Sequence, residues 1–112
     1  MTLNSFQFNT TPGLRYGSGQ VKESCEEISK KLGHSILFIT DKDLMSLGLT
    51  EQTLKELKKI SLVEIFDDVE ADPSKKTLLK AIEVGKKIKA TGIIGFGGGS
   101  SMDVAKLTAL IL

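Results

Sequence analysis

Short apolar runs alternate along the chain with longer stretches in which apolar residues recur every three or four positions. Ser35–Thr40 is continuously apolar and rich in strand formers, the pattern of a strand buried on both faces. Leu62–Phe66 and Gly92–Phe96 are two further runs of this kind. Between them the helical period takes over. Val21, Cys25, Ile28 and Leu32 fall on one helix face, with Glu26, Glu27, Lys30 and Lys31 turned to water and Gly33 as the C-terminal cap. Thr50–Ile60 repeats the design, with Leu54 and Leu57 inward and Lys55, Lys58 and Lys59 outward. Asp72-Pro73 sets an N-cap before a proline at the first helical position, and Leu78, Leu79, Ile82 and Ile88 give that helix its buried side. A last helix starts at Ser100.

The order is helix, strand, one or two helices, strand, helix, strand, helix. Strands joined by helical crossovers of this length predict an α/β fold with a Rossmann-like parallel sheet flanked by helices. Phe6–Tyr16 alternates weakly around Pro12-Gly13 and reads as a strand or loop pair outside the parallel core. The last helix is apolar nearly all round, through Ala105, Leu107, Ala109, Leu110, Ile111 and Leu112, which predicts burial on most sides. No further segment remains to cover it. Residues 1–112 therefore read as the front part of a longer protein, or end in a helix docked into a partner subunit.

Composition narrows the function classes. With 112 residues the chain is one domain or part of one, long enough to bury about 65% of its unfolded surface. Fifteen basic and 14 acidic residues leave a net charge of +1, which argues against a nucleic-acid binder driven by phosphate neutralisation. The paired lysines alternate with acids on helix faces and read as solvated surface. One cysteine, Cys25, excludes an internal disulfide and reads as a buried small hydrophobe; one histidine, His34, reads as a surface residue and excludes an intrachain multi-histidine metal site. The sequence shows neither a secretory leader nor an apolar run of membrane-spanning length, so a cytoplasmic protein is expected.

The stretch richest in chemistry runs from Ile93 to Lys106: a buried strand, the glycines Gly97, Gly98 and Gly99, then a helix start. Glycines let a backbone approach a ligand, and the helix supplies unpaired N–H groups and the positive end of its dipole, together an anion site suited to a phosphate or pyrophosphate. Spacing alone leaves open a second reading, in which the glycines only make a tight strand-to-helix turn. The pattern is not the usual dinucleotide fingerprint, since Ser100 stands at the third glycine position, and no Gly-Lys-Ser/Thr follows to make a Walker loop.

Gly97-Gly98-Gly99-Ser100-Ser101-Met102-Asp103-Val104-Ala105-Lys106 resembles the cofactor-binding motif of the iron-containing (group III) alcohol dehydrogenases. Other pieces fall in that family's order: Phe8 through Gly17, with Tyr16-Gly17-Ser18-Gly19, resembles its N-terminal strand pair; Ile36–Asp41 its first nucleotide strand; Leu47-Gly48-Leu49 its next turn; and Phe66–Val69 with Asp72-Pro73 a later segment. The resemblance implies a two-domain enzyme whose α/β domain binds NAD or NADP. Its helical domain, absent from these residues, would hold Fe2+ or Zn2+ through one aspartate and three histidines. Hydride would pass between the nicotinamide and a small alcohol or aldehyde while the metal polarises the oxygen. No catalytic residue and no metal ligand is expected within residues 1–112, and a homodimer is a family expectation. Glycerol dehydrogenase and maleylacetate reductase are possible relatives within the superfamily. Dehydroquinate synthase is more distant, with a small apolar residue where this chain has Ser-Ser-Met. A rival reading is a stand-alone α/β nucleotide-binding or regulatory module without catalysis. A downstream Asp-x-x-x-His with two later histidines would favour the enzyme; a stop codon would favour the module.

The resemblance assigns roles. Gly98, Gly99 and Ser100 match the positions whose backbone holds the pyrophosphate; Ser100 also suits the N-cap, with Ser101 and Met102 as the first helical residues. Asp103 reads as a capping-box acid and, by resemblance, reaches a ribose or nicotinamide group; Lys106 could pair with it. Asp72 stands where the family has asparagine, a fair exchange for an N-cap and a departure for a cofactor contact. Asp41 is either the N-cap of a short helix through Leu44 and Leu47 or a carboxylate accepting hydrogen bonds from the adenosine ribose. In the second role it would repel a 2′-phosphate by on the order of a few kcal/mol at an effective dielectric near 20, favouring NAD over NADP. Asp41→Gly in the full-length enzyme should then improve the use of NADP; an unchanged NAD/NADP ratio removes Asp41 from the site.

Overall fold

The computed structural model describes residues 16–112. The expected strand or loop pair of Phe6–Tyr16 falls outside them, but for Tyr16. The elements follow the expected order: α1 (Gln20–Leu32), β1 (Ser35–Ile39), α2 (Lys42–Ser46), α3 (Glu51–Lys58), β2 (Leu62–Phe66), α4 (Lys75–Lys87), β3 (Gly92–Gly95) and α5 (Gly99–Ile111). Gly33, at φ 89°, ends α1 in a backbone conformation that side chains resist.

The strands form one parallel sheet in the order β2-β1-β3, with Ile36 paired to Val63 on one side and to Gly92 on the other. β1 is central and all five of its residues are buried. Its side chains alternate between two cores. Leu37 and Ile39 pack with Ala81 of α4 and with Val104 and Ala105 of α5. Phe38 packs with Cys25 of α1 and with Leu54 and Leu57 of α3. The β1–β2 crossover runs one way across the sheet and the β2–β3 crossover runs back past β1. Right-handed connections put the helices of such opposed crossovers on opposite faces, and α3 and α4 occupy opposite faces here. Burying each large aliphatic or aromatic side chain of β1 contributes about 1.5–3 kcal/mol.

Several expectations need correction. β2 is not buried on both faces: as an edge strand it leaves Leu62 76% exposed, and only Phe66 is fully covered. On α1, Val21 is exposed and the buried face runs through Ser24, Cys25 and Ser29. On α4, Leu79 is exposed and the buried face is Thr77, Ala81, Ile82 and Gly85. The small residues let α1 lie close to α3 and α4 close to its neighbours, and the larger neighbours are displaced from the interface. α4 is capped by Ser74, which accepts from the Thr77 amide at 3.3 Å, and not by Asp72. Pro73 denies the preceding residue a right-handed helical backbone, and Asp72 turns the chain at φ 55°. α5 buries Ser101, Val104, Ala105 and Thr108 and leaves Leu107, Leu110, Ile111 and Leu112 exposed. None of the described helices is long and apolar enough to cross a membrane.

Glycine also governs how α5 meets the sheet. A Cβ on Gly95 would lie 2.8 Å from Ala105 Cβ and 3.2 Å from the Ser101 carbonyl oxygen. Gly95→Ala is expected to lose about 1–3 kcal/mol of stability, read as a lower thermal midpoint in a melting experiment.

Candidate functional site

The order β2-β1-β3 makes the gap between β1 and β3 the point where the chain switches direction across the sheet. In open parallel sheets ligands bind beyond the carboxyl ends of the strands at such a point. Asp41 follows β1 there and Gly97-Gly98-Gly99 follow β3. Between them opens a cleft of about 420 Å³ lined by both turns and by residues 67–71 after β2.

The two turns are joined by a close approach. Gly97 has φ 133°, and a Cβ on it would lie 2.7 Å from Leu44 Cδ1, 3.5 Å from Ser101 Oγ and 3.6 Å from Asp41 Oδ2. The Asp41 carboxylate therefore sits beside the start of α5. Its Oδ1 accepts from the Leu44 amide at 2.8 Å, capping α2. The capping role expected for Asp41 is present, and the side chain lines the cleft as well.

Gly98 and Gly99 differ from Gly97 and Gly95. A Cβ on either would meet nothing within 4 Å, and Gly98, at φ −83° and ψ −168°, has a backbone open to any residue. Neither the backbone of Gly98 nor the packing around either residue requires glycine; a close-lying ligand would. α5 begins at Gly99, one residue before the expected start at Ser100, with Gly98 as its N-cap. The chain reverses at Gly97, and the first helical bond runs from the Met102 amide to the Gly98 carbonyl at 3.1 Å. Ser100 is therefore inside the first turn and not the cap. Asp103 lies beyond that turn, so no capping box forms. Without a capping side chain, the amides of Gly99, Ser100 and Ser101 remain available at the positive end of the helix. Three buried hydroxyls lack a partner among the described residues, on Ser29, Thr40 and Ser101. Of these only Ser101, 1% exposed, lines the cleft. An unpaired buried hydroxyl costs about 1–3 kcal/mol unless something bonds it, so Ser101 Oγ marks a place where an anion's oxygen fits.

The facing wall is acidic. Asp43, Asp67, Asp68 and Glu70 join Asp41 along the cleft, with Lys42 among them. Sequence reasoning did not single these residues out, because they come together only when the β1 and β2 turns meet. Lys42 Nζ donates to Asp68 Oδ1 at 2.9 Å and stands 4.0 Å from Asp67; Lys80 Nζ reaches Asp68 Oδ2 at 3.7 Å. A backbone bridge pairs Asp41 with Asp68. The hydrogen bond from Lys42 and its charge hold the Asp68 carboxyl below the usual carboxylate range, and the same bond raises Lys42.

The sequence pattern of the iron-containing alcohol dehydrogenase family matches residues 12–112. The chain belongs to the iron-containing alcohol dehydrogenases. Choline dehydrogenase of Bacillus subtilis (strain 168) is 31% identical over 105 residues, 93% of this chain and 26% of that protein. NAD-dependent methanol dehydrogenase of Bacillus methanolicus is 31% identical over 93% of this chain and 28% of its own length. NADH-dependent butanol dehydrogenase A from Thermotoga maritima superposes with a TM-score of 0.83 at 28% identity, covering 96% of this chain and 27% of that structure. The chain thus spans about a quarter of the length of these relatives. Its parallel sheet matches the Rossmann-like domain of these alcohol dehydrogenases.

Within this family member the structure brings Asp41, Gly98, Gly99, Ser100 and Ser101 to one cleft. Met102 lies instead in a shallow groove with Ile93 and Ala109, and Asp103 in another with Pro73 and Leu78. Asp72 lines none of these. No ion pair among the described residues joins Asp103 to Lys106. Nor, among the described residues, does any group of three or more His, Cys, Asp or Glu side chains come together as metal ligands.

The Lys42–Asp68 pair makes a pH prediction. Asp68 is lowered on folding, so its contribution is present above the ordinary carboxylate value and is lost as pH falls through the lower folded value. In a carbon-detected NMR titration the Asp68 carboxyl should show a midpoint below 3.8, and Lys42→Met should move it up.

Proposed function

We propose that residues 1–112 form the NAD-binding portion of a metal-dependent alcohol dehydrogenase that moves hydride between a nicotinamide and a small alcohol or aldehyde. The observation that carries this reading is the pair Gly98 and Gly99, whose missing side chains leave open the space beside an uncapped helix and the unpaired Ser101 hydroxyl. The diphosphate of the dinucleotide fits there, held by the amides of Gly99, Ser100 and Ser101 and by Ser101 Oγ. The Asp41 carboxylate, on the acidic side, accepts hydrogen bonds from the ribose hydroxyls through the lone pairs left free by its cap. The nicotinamide, when bound, supplies the hydride chemistry; this chain's residues bind and orient. The NAD dependence of the related methanol and butanol dehydrogenases supports NAD as the cofactor. Metal ligands belong to the part of the enzyme beyond these residues. A cytoplasmic homodimer completes the proposal, with the exposed Leu107, Leu110 and Ile111 as apolar surface available for contact.

The test is binding of NADH, followed by its fluorescence, in the full-length enzyme. Gly98→Ala should weaken NADH by roughly tenfold or more, equivalent to about 1.4 kcal/mol, while costing no more stability than an alanine N-cap, about 0.5–1 kcal/mol. Unaltered affinity would place the diphosphate elsewhere.

A further inference from the structure

Lys42 is the one cation among the described residues lining the cleft, and it is already engaged. Its ammonium is held at 2.9 Å by Asp68 and approached by Asp67 at 4.0 Å. Asp68 also draws Lys80 to 3.7 Å. The backbone bridge between Asp41 and Asp68 sets this cluster beside the carboxylate that faces the ribose. A dinucleotide carrying a 2′-phosphate needs a cationic partner at the ribose, the role an arginine plays in NADP-binding relatives of this fold.

We propose that Asp68 is a specificity-determining residue for the dinucleotide: by holding Lys42, it denies a 2′-phosphate its counter-charge and enforces NAD over NADP. The inference rests on the cofactor reading above, with the diphosphate at Gly98 and Gly99 and the ribose at Asp41. The pair is exposed, with side chains 67% and 49% accessible, so the bond itself is not strong. Its effect lies in what remains when it opens. If Lys42 turned to the phosphate, Asp67 and Asp68 would lose a partner and stand as like charges next to it. A neutral amide at position 68 removes the nearer part of that repulsion and releases Lys42 and Lys80 from their closest partner. The lysine's long flexible stem then lets the ammonium swing to the ribose. Asp43, on the same wall, holds no lysine among the described residues and serves as the comparison for acid removal alone.

The experiment measures NADH and NADPH affinity by fluorescence titration in the full-length enzyme. Asp68→Asn should tighten NADPH about tenfold and change NADH less than about threefold. Adding Lys42→Met to it should cancel most of that gain, and Asp43→Asn should give less than about a threefold gain. Lys42→Met alone should weaken NADPH less than about threefold, because the lysine is withheld from the phosphate and its loss only unscreens two exposed carboxylates; this arm stands even if Asp68→Asn fails to fold. An Asp68→Asn enzyme that binds NADH normally and NADPH no better overturns the proposal and leaves the cofactor reading intact. So does an equal gain from Asp43→Asn, which assigns the selectivity to total charge, or a marked loss of NADPH binding in Lys42→Met. A wild-type enzyme that binds neither dinucleotide overturns both.

Discussion

The missing side chain of Gly97 is the constraint on which the cleft depends. Leu44 occupies the space a Cβ there would need, and this lets α2, which leaves β1, lie against the turn that leaves β3. Two connections far apart in sequence thereby face each other across one opening. The sheet order prepares the meeting, because β1 and β3 are neighbours and their carboxyl ends emerge together. The contact then fixes how near the Asp41 carboxylate stands to the amino end of α5. Any residue but glycine would meet two obstacles at once, an unfavourable φ of 133° and a collision with an apolar side chain.

The cleft is electrostatically two-sided. One side is the uncapped end of α5, partially positive and backed by an unpaired hydroxyl. The other carries Asp41, Asp43, Asp67, Asp68 and Glu70, relieved by Lys42. A ligand that is an anion throughout would gain on the first side and lose on the second. A dinucleotide suits both, since its charge is concentrated at the diphosphate and its ribose hydroxyls donate to carboxylates. In the proposed reading each part of such a ligand meets the side that suits it, so an acid-rich opening is compatible with an anionic cofactor.

Much of the fold was legible in the sequence because the signals were local. β1 announces itself by five consecutive apolar or β-forming residues, Ile36 to Thr40, and β2 matches its expected bounds to the residue. The misreadings share a cause. Periodicity places Leu79 and Val21 inside, but closely packed helices bury their small residues, here Ala81 and Gly85 on α4 and Ser24 and Ser29 on α1. Ser100 and Asp72 were chosen as caps by side-chain preference, whereas the turns are set by backbone reversal at Gly97 and Asp72. In the site, Asp41 and the glycines were visible because each sits at the end of a strand. Asp68 and Lys42 were not, since their pairing joins two loops 26 residues apart, and nothing local in sequence marks one for the other.

The glycines show how structure and binding can be separated when both ask for the same residue. Gly95 and Gly97 are explained from within: a side chain on either would strike Ala105 or Leu44. Gly98 and Gly99 are not, for each has room and Gly98 has an ordinary backbone. Gly98 is the N-cap of α5, where glycine is better tolerated than alanine though less favoured than serine, aspartate or asparagine, and Gly99 is the first helical residue. Packing does not force glycine at either position, and the open side of both residues is the cleft. The run of three therefore divides after its first member: Gly97 builds the turn, and the two that follow leave its outer surface bare.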